Sequence, residues 1–324
     1  MDAEAFWVVG AGRGEIRRTT LGPLAPGTVR IAATASAISR GTESLVFQGR
    51  VPPSQTEIMR CPHQEGDFPF PVKYGYCTVG QVVETKAAAL AVGTRVFCLH
   101  PHQTVFDVPA SQAVPIPDGV PDRRATLAAN LETAINALWD APVLVGDRVV
   151  VIGGGLVGLL IALLAQAVPG TQVQVIEPMA ARAEAAVDLG LTVSTADRAL
   201  YDADLVVHAS GNPQGLALGL ELAGFEATVL EVSWYGDKSV PLPLGEAFHS
   251  RRLRLISSQV GSVSDRRRAR RGHRDRLVTA LGLLADPVFD ALLAEPIAFA
   301  ELPQAMARLA AMPVGRPAVT VSYR

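Results

Sequence analysis

The sequence predicts an α/β fold in which a doubly wound parallel sheet is joined to a smaller β-rich domain. Three observations carry this prediction. An apolar strand-like run ends in a glycine turn and reopens as a helix-like run, Val149-Val150-Val151-Ile152-Gly153-Gly154-Gly155-Leu156-Val157-Gly158-Leu159-Leu160. From Asp122 onward, helix-like and strand-like stretches alternate. Before about residue 118 the texture differs, with short strands between turn residues. With 324 residues the chain is long enough to bury two cores.

In chain order, Val29-Arg30-Ile31 alternates in character, and residues 79–83 and Arg95–Cys98 are further strands. Pro52-Pro53 and Pro69-Phe70-Pro71 mark loops, and Val114-Pro115-Ile116-Pro117-Asp118-Gly119-Val120-Pro121 reads as a boundary linker. A helix is expected over 125–139, then the glycine-turn strand, then a helix over 159–168. Strands follow at 173–176, 205–207, 228–232 and 253–256. Two helical stretches, 274–284 and Leu302–Ala311, precede a last strand at 318–321 that returns to the first domain. The expected partition is therefore 1–118 with 262–324 for the β-rich domain and 119–261 for the α/β domain.

Gly153-x-Gly155-x-x-Gly158 between a strand and a helix is a dinucleotide-binding pattern. Gly153 permits the tight turn, Gly155 lets the backbone approach a pyrophosphate, and Gly158 lets helix and strand pack closely. Leu156 and Val157 open the helix, whose free N–H groups and partial positive charge favour phosphate. The next strand ends at Glu177, about 20 residues on, where this fold places the carboxylate that binds the adenosine ribose. A carboxylate there repels a 2′-phosphate, so NAD is expected rather than NADP. The phrase His208-Ala209-Ser210-Gly211-Asn212 also follows a strand. Ser210 and Gly211 line the nicotinamide half of the cofactor or form an ordinary strand-end turn.

Composition narrows the class. The chain is 49% hydrophobic and 19% charged, which excludes disorder. Its formal net charge of -2 gives no reason to expect nucleic acid. Residues 149–168 are uncharged and long enough to span a bilayer, but three consecutive glycines break any continuous helix. A strand and helix buried in a parallel sheet are apolar all round, so no membrane is expected. Met1-Asp2-Ala3-Glu4-Ala5 lacks the basic start of a signal peptide. Cys61, Cys77 and Cys98 make no even disulfide framework, which fits a reducing cytoplasm.

Four phrases in order, Gly41-Thr42-Glu43, Gly75-Tyr76-Cys77-Thr78-Val79-Gly80, Val145-Gly146-Asp147-Arg148-Val149 and the glycine turn, carry a family resemblance. Over essentially its whole length the chain resembles the medium-chain dehydrogenase/reductase family, whose zinc-type members include alcohol dehydrogenases. The resemblance implies a GroES-like β-rich catalytic domain beside a Rossmann domain, a nicotinamide cofactor, a small-molecule substrate and a homodimer. It implies that Glu177 is the acid that favours NAD and that Arg182 is an arginine frequent in NAD-using members. Zinc members carry Cys before the Gly-Thr-Asp phrase and Gly-His-Glu where this chain has Gly75-Tyr76-Cys77. Arg40 and Tyr76 stand at those ligand positions, and neither suits a Zn²⁺ site of Cys, His and carboxylate. Only Cys98 lies between Gly93 and Val120, so the four-cysteine structural lobe is missing as well. The chain thus resembles a zinc-lacking branch, with no zinc expected. A rebuilt ligand set of Cys61, His63, Cys77 and Glu132 stays open, although Cys61-x-His63 is not a familiar spacing. The Gly-Thr-Glu and Gly-Tyr phrases are also similar, locally, to the bacteriochlorophyllide a dehydrogenase branch, which oxidises a hydroxyethyl group.

Without a metal, side chains must stabilise oxyanion character and move a proton during hydride transfer. The resemblance places Thr42 at a Ser/Thr proton relay and points Tyr76, a phenol able to donate, at the nicotinamide. Arg40 can supply fixed positive charge with Glu43 holding it, or the two form a salt bridge that replaces lost metal structure. Asn130 and Glu132 face the cleft or are a helix-end polar pair. The expected function is a zinc-independent, NAD(H)-dependent oxidoreductase acting between an alcohol and a carbonyl. The alternatives are an NADPH-dependent enoyl or quinone reductase, and a non-catalytic binding protein on a dehydrogenase fold. The run from Arg266 to Arg276 reads as a solvated helix start or loop, the alternatives being a site for nucleic acid or for a phosphorylated or carboxylated substrate. His100 and His102 read as a surface loop or as cleft residues, and Met179, Met306 and Met312 as core.

Overall fold

The computed structural model describes residues 1–311 and 315–323. Strands β1 (Asp2–Gly10) and β2 (Arg13–Thr20) form an antiparallel hairpin. β1 buries Ala3, Ala5, Phe6 and Val8, whereas β2 is rich in Arg and Thr and largely wet. After β3 (Thr28–Ala37) comes α1 (Arg40–Phe47), whose inner face is Glu43, Val46 and Phe47. Two short strands, β4 (Glu65–Gly66) and β5 (Val72–Lys73), join the hairpin in the order β2-β1-β5-β4. Then come β6 (Thr78–Thr85), β7 (Arg95–Cys98), β8 (Val105–Pro109) and β9 (Val114–Pro115). β3 pairs antiparallel with both β6 and β8 and packs Val29 and Ile31 against Val82, Val96 and Phe106.

A short α2 (Asp122–Ala125) and the longer α3 (Ala128–Asp140) lead into six parallel strands. These are β10 (Arg148–Ile152), β11 (Gln172–Ile176), β12 (Thr192–Ser194), β13 (Ala203–His208), β14 (Ala223–Glu231) and β15 (Arg254–Ser257). Their spatial order is β12-β11-β10-β13-β14-β15, so the chain reverses direction across the sheet between β10 and β13. That switch point is where doubly wound sheets bind ligands. Val149, Val150 and Val151 have no exposed surface, which explains an apolar run without alternation. Helices α4 (Leu156–Gln166), α5 (Ala180–Asp188) and α6 (Pro213–Leu222) make the crossovers, and α7 (His273–Leu283) follows the sheet. β16 (Ile297–Ala298), α8 (Leu302–Ala311) and β17 (Thr320–Ser322) close the chain. β17 lies between β16 and β3, so the C-terminal strand does return to the β-rich sheet. No helix among the described residues is long and apolar enough to cross a membrane.

The chain divides into Met1–Ala129 with Leu281–Val314 and Ala318–Arg324, and Asn130–Ala280 with Gly315–Pro317. The divisions fall later than the expected 118 and 262, for two physical reasons. The proline-rich stretch is no free linker: β9 pairs with β7, and Arg95 holds both Asp122 and the Val120 carbonyl. Residues beyond 262 stay with the α/β unit because Arg276, fully buried on α7, donates to Glu132 at 3.0 Å and to Asn136 on α3. Met306 is core as expected, Met179 is only half-buried, and Met312 lies outside the described residues.

Burial pushes the Glu132 carboxyl upward, and the Arg276 guanidinium partly offsets this. Removing one partner of a buried pair costs about 3–5 kcal/mol, because the other charge stays desolvated. Arg276→Met is therefore expected to lower stability by about that amount in chemical denaturation at pH 8. A carboxyl whose folded pKa is raised supports the fold below its unfolded pKa and loses that support as pH rises. The loss from Arg276→Met should accordingly shrink towards pH 5, and adding Glu132→Gln should recover part of it.

Candidate functional site

The glycine turn is built by close approach. A Cβ on Gly158 would stand 2.1 Å from the Gly153 carbonyl oxygen, so only glycine lets α4 lie this near β10. Gly153 has φ +111, and a Cβ there would meet the Ser210 backbone at 2.8 Å. Gly155 is different. It has ordinary extended geometry at the N-cap of α4, and among the described residues, its two chain neighbours aside, none has an atom within 4 Å of where its Cβ would stand. The fold does not demand glycine at 155, whereas a ligand coming close to the backbone would. The first-turn N–H groups of α4, at Leu156 and Val157, open beside this cradle.

Glu177, 5% exposed at the end of β11, is drawn into the turn. Its Oε2 accepts from the Gly154 N–H at 2.9 Å and its Oε1 from the Met179 N–H at 2.9 Å. Arg182 Nη1 stands 3.8 Å from Oε2. An ionised carboxylate has about four acceptor sites, so both oxygens keep capacity for sugar hydroxyls. The cradle, the helix terminus and the carboxylate together fit a dinucleotide. On the other flank, Ser210 Oγ lies 2.6 Å from His208 Nε2 and Gly211 N–H donates to Ser233 Oγ at 3.1 Å.

In the β-rich unit, Arg40 and Thr42 are half-buried in the first turn of α1, and Glu43 turns inward. Glu43, 3% exposed, accepts from the Ser39 N–H at 2.7 Å, while its Oε2 lies 3.0 Å from His102 Nε2. His102 Nδ1 in turn lies 2.7 Å from Ser36 Oγ, which is 3.0 Å from the Tyr323 hydroxyl. Since an ionised Glu43 only accepts, the proton sits on His102 Nε2, Ser36 donates to Nδ1, and Tyr323 donates to Ser36. Tyr76 donates to Ser39 Oγ at 2.6 Å and also hydrogen-bonds Thr42. Desolvation raises the Tyr76 phenol well above its ordinary range, and the negative fields of Cys77 and Glu43 add to this. Tyr76 therefore holds its proton throughout the physiological range.

Several expectations need correction. His100 and His102 are not on a surface loop: His100 stacks on Phe106 with centroids 3.8 Å apart, and His102 is 1% exposed against Glu43. Asn130 and Glu132 are buried rather than presented to a substrate, and Glu132 is committed to Arg276. Arg276 itself leaves the cationic run, whose other arginines, Arg266 to Arg274, are solvated. The rebuilt metal set does not assemble: His63 Nε2 contacts Gln112, Cys61 is a buried thiol pushed up to about 12 by desolvation, and Glu132 is paired. Among the described residues, no three His, Cys, Asp or Glu side chains are grouped to hold a metal. Sequence reasoning missed Ser39, Ser36, Tyr323, Glu231 and Tyr235. None of them left a spacing signal: Ser39 and Glu43 stand four apart, one more than the capping-box spacing.

No family model matches the chain. Two curated relatives are L-threonine 3-dehydrogenases. That of Mesorhizobium japonicum is 34% identical over 119 residues, 36% of this chain and 33% of the relative. That of Ruegeria pomeroyi is 29% identical over 122 residues, 38% of this chain and 35% of the relative. The chain thus matches about a third of the length of these relatives. Solved structures match throughout. 2R,3R-butanediol dehydrogenase from Bacillus subtilis has a TM-score of 0.81 at 17% identity, covering 99% of this chain and 100% of that one. A protein from Sinorhizobium meliloti 1021, described as a zinc-binding dehydrogenase and bound to NADP, has a TM-score of 0.80 at 18% identity, covering 99% of both chains. The alcohol dehydrogenase rspB from E. coli CFT073, complexed with NADH, has a TM-score of 0.78 at 15% identity, again covering 99% of both. These matches show the fold: a β-rich domain with a Rossmann sheet. Arg40 and Tyr76, which the sequence resemblance sets at zinc-ligand positions, are not zinc-ligating residue types.

The turn separates demands of the fold from demands of a ligand. Gly158→Ala is expected to cost more than about 3 kcal/mol, the range of severe overpacking and backbone strain. Gly155→Val should cost no more than about 1 kcal/mol, the loss of a favourable N-cap. Thermal unfolding of the two variants beside wild type checks both.

Proposed function

We propose that the protein is a zinc-independent, NAD(H)-dependent oxidoreductase that moves hydride between the nicotinamide and an alcohol or carbonyl carbon of a small substrate. The observation that carries this reading is the cradle at Gly155, where the fold has no use for glycine and a pyrophosphate does. When bound, the cofactor supplies or accepts the hydride. This chain's residues do the rest. The α4 N-terminus binds the phosphates, and Glu177 accepts from the adenosine ribose hydroxyls and opposes a 2′-phosphate.

In this reading the Tyr76 hydroxyl, kept protonated by burial, turns from Ser39 Oγ to the oxygen that gains charge as a carbonyl is reduced and gives it its proton. Ser39 and Thr42 fix its hydroxyl, and Glu43, locked by Ser39 and His102, anchors the loop beneath them.

Tyr76→Phe is expected to lower the turnover of ketone reduction by about 100-fold or more, the usual share of general acid catalysis, with NADH affinity near wild type. With the phenol protonated, wild-type turnover should stay flat from pH 6 to 9 as far as Tyr76 governs it. Steady-state kinetics of both proteins across that range test the assignment, and unchanged turnover in Tyr76→Phe removes it.

Fluorescence titration tests the cofactor. NADH should bind tighter than NADPH, and Gly155→Val should weaken NADH by at least about 100-fold despite a stable fold. Tighter NADPH binding would favour the enoyl or quinone reductase reading, and binding of neither would favour a non-catalytic role.

A further inference from the structure

The α/β unit holds a side-chain relay that hydride transfer does not use, although two of its members, Ser210 and Gly211, stand where the sequence places the nicotinamide half of the cofactor. At the end of β13, His208 is fully buried. Its Nδ1 lies 2.8 Å from Glu231 Oε2 on β14, and its Nε2 lies 2.6 Å from Ser210 Oγ. The carboxylate takes two further bonds: Ser233 N–H donates to Oε1 at 2.6 Å and the Tyr235 hydroxyl to Oε2 at 2.9 Å. The Tyr235 ring lies nearly parallel to the imidazole, at 12°, and closes that side. Because a carboxylate only accepts, Nδ1 carries the proton and the Nε2 lone pair faces the serine. Carboxylate, imidazole and hydroxyl are thus in series, with each role set by its neighbour.

The setting suits an activated serine. Ser210 is exposed on a strand-to-helix turn at the carboxyl end of a parallel sheet, between β13 and α6. The turn continues through Gly211 at φ +65, whose N–H, next in the chain after the serine, is held only by Ser233 Oγ. The Asn212 N–H donates to Ser210 Oγ at 3.1 Å and leaves its proton free for His208. Gly215 on α6 keeps the approach clear, since a Cβ there would stand 2.8 Å from Ser210 Oγ and 2.9 Å from His208 Nε2.

We infer that Ser210, His208 and Glu231 form a nucleophilic relay that gives the protein a second activity, hydrolysis of small activated esters. Ser210 Oγ bonds to the ester carbonyl carbon as its proton passes to His208 Nε2, and the Gly211 N–H turns from Ser233 to the developing oxyanion. The bond to the leaving alcohol breaks, and the alcohol departs with the proton from His208. Water then gives a proton to Nε2 and adds to the acyl carbon; the acid is released as Ser210 Oγ regains its proton. One ester and one water yield one acid and one alcohol, with no redox partner.

The test uses the whole purified chain without nucleotide, so its failure is distinct from failure of the dinucleotide reading. The protein is treated with a fluorophosphonate and mapped by peptide mass spectrometry, and p-nitrophenyl acetate hydrolysis is followed in parallel. One adduct on Ser210 is expected, formed in the native protein and at least about 100-fold more slowly in urea-unfolded chain. Ser210→Ala should abolish both adduct and hydrolysis, and His208→Gln should slow both by about 100-fold or more. No Ser210 adduct in native wild type, equal labelling in urea, or undiminished labelling of a folded His208→Gln would each overturn the inference. The native-against-urea comparison decides even if the His208 variant does not fold.

Discussion

The α/β unit depends on one close contact, the first turn of α4 against the carbonyl oxygen of Gly153. At 2.1 Å from a would-be Cβ, no side chain of any size is tolerated at 158. That contact sets how deeply the helix sits over β10 and where its N-terminus ends. Its neighbours inherit the geometry. Glu177 reaches the Gly154 amide because the turn comes back over β11, and the Ser210 backbone lies against Gly153 because β13 flanks β10 on the other side. Two strands thus present their ends on either side of one turn, which is the property of a switch point that makes it a place for ligands.

Polar groups inside both units are organised in series rather than as isolated pairs. Arg30 holds Asp107 and Glu84, His102 holds Glu43 and Ser36, and His208 holds Glu231 and Ser210. Such pairs add little net stability over apolar replacements, because desolvation offsets the attraction. What they add is definition. A neutral imidazole between a carboxylate and a hydroxyl has one sensible tautomer, and with it one direction of donation through the chain of groups. In the β-rich unit this fixes Glu43 beneath Ser39, and Ser39 positions the Tyr76 hydroxyl.

Local signals made much of this legible. Val149 to Ile152 and the strands near 205 and 228 have apolar centres because both faces are covered there, the strand near 173 alternates with Gln172 and Gln174 on its wetter face, and the limits of all four shift by only a few residues. β12 escaped notice because its three residues, Thr192 to Ser194, are partly wet and too short for a period. The β1–β2 hairpin was hidden by the arginines and threonines of its exposed strand. The site clusters resisted for another reason. Glu43 and His102 are 59 positions apart and Glu132 and Arg276 are 144 apart, so no spacing rule connects them. Arg276 looks like one more member of a cationic run; only the helical phase of α7, which also turns Leu277 and Ala280 inward, takes it into the core.

The placement of β17 bears on how this chain comes to be made. Its register with β3 joins Thr320 to Ala37 and Ser322 to Ala35, so the β-rich sheet joins residues that lie on either side of the whole α/β unit in the sequence. The six parallel strands, by contrast, all lie between positions 148 and 257. During vectorial synthesis the inserted unit can complete its hydrogen-bond ladder while the ribosome is still adding the tail. β6 and β8 can pair with β3 early, but Ala35 to Ala37 lack their partner on the β17 side until Thr320 to Ser322 emerge. The β-rich unit, begun first, is therefore completed after the inserted one, and in the interval that short stretch of strand edge must be kept from other chains.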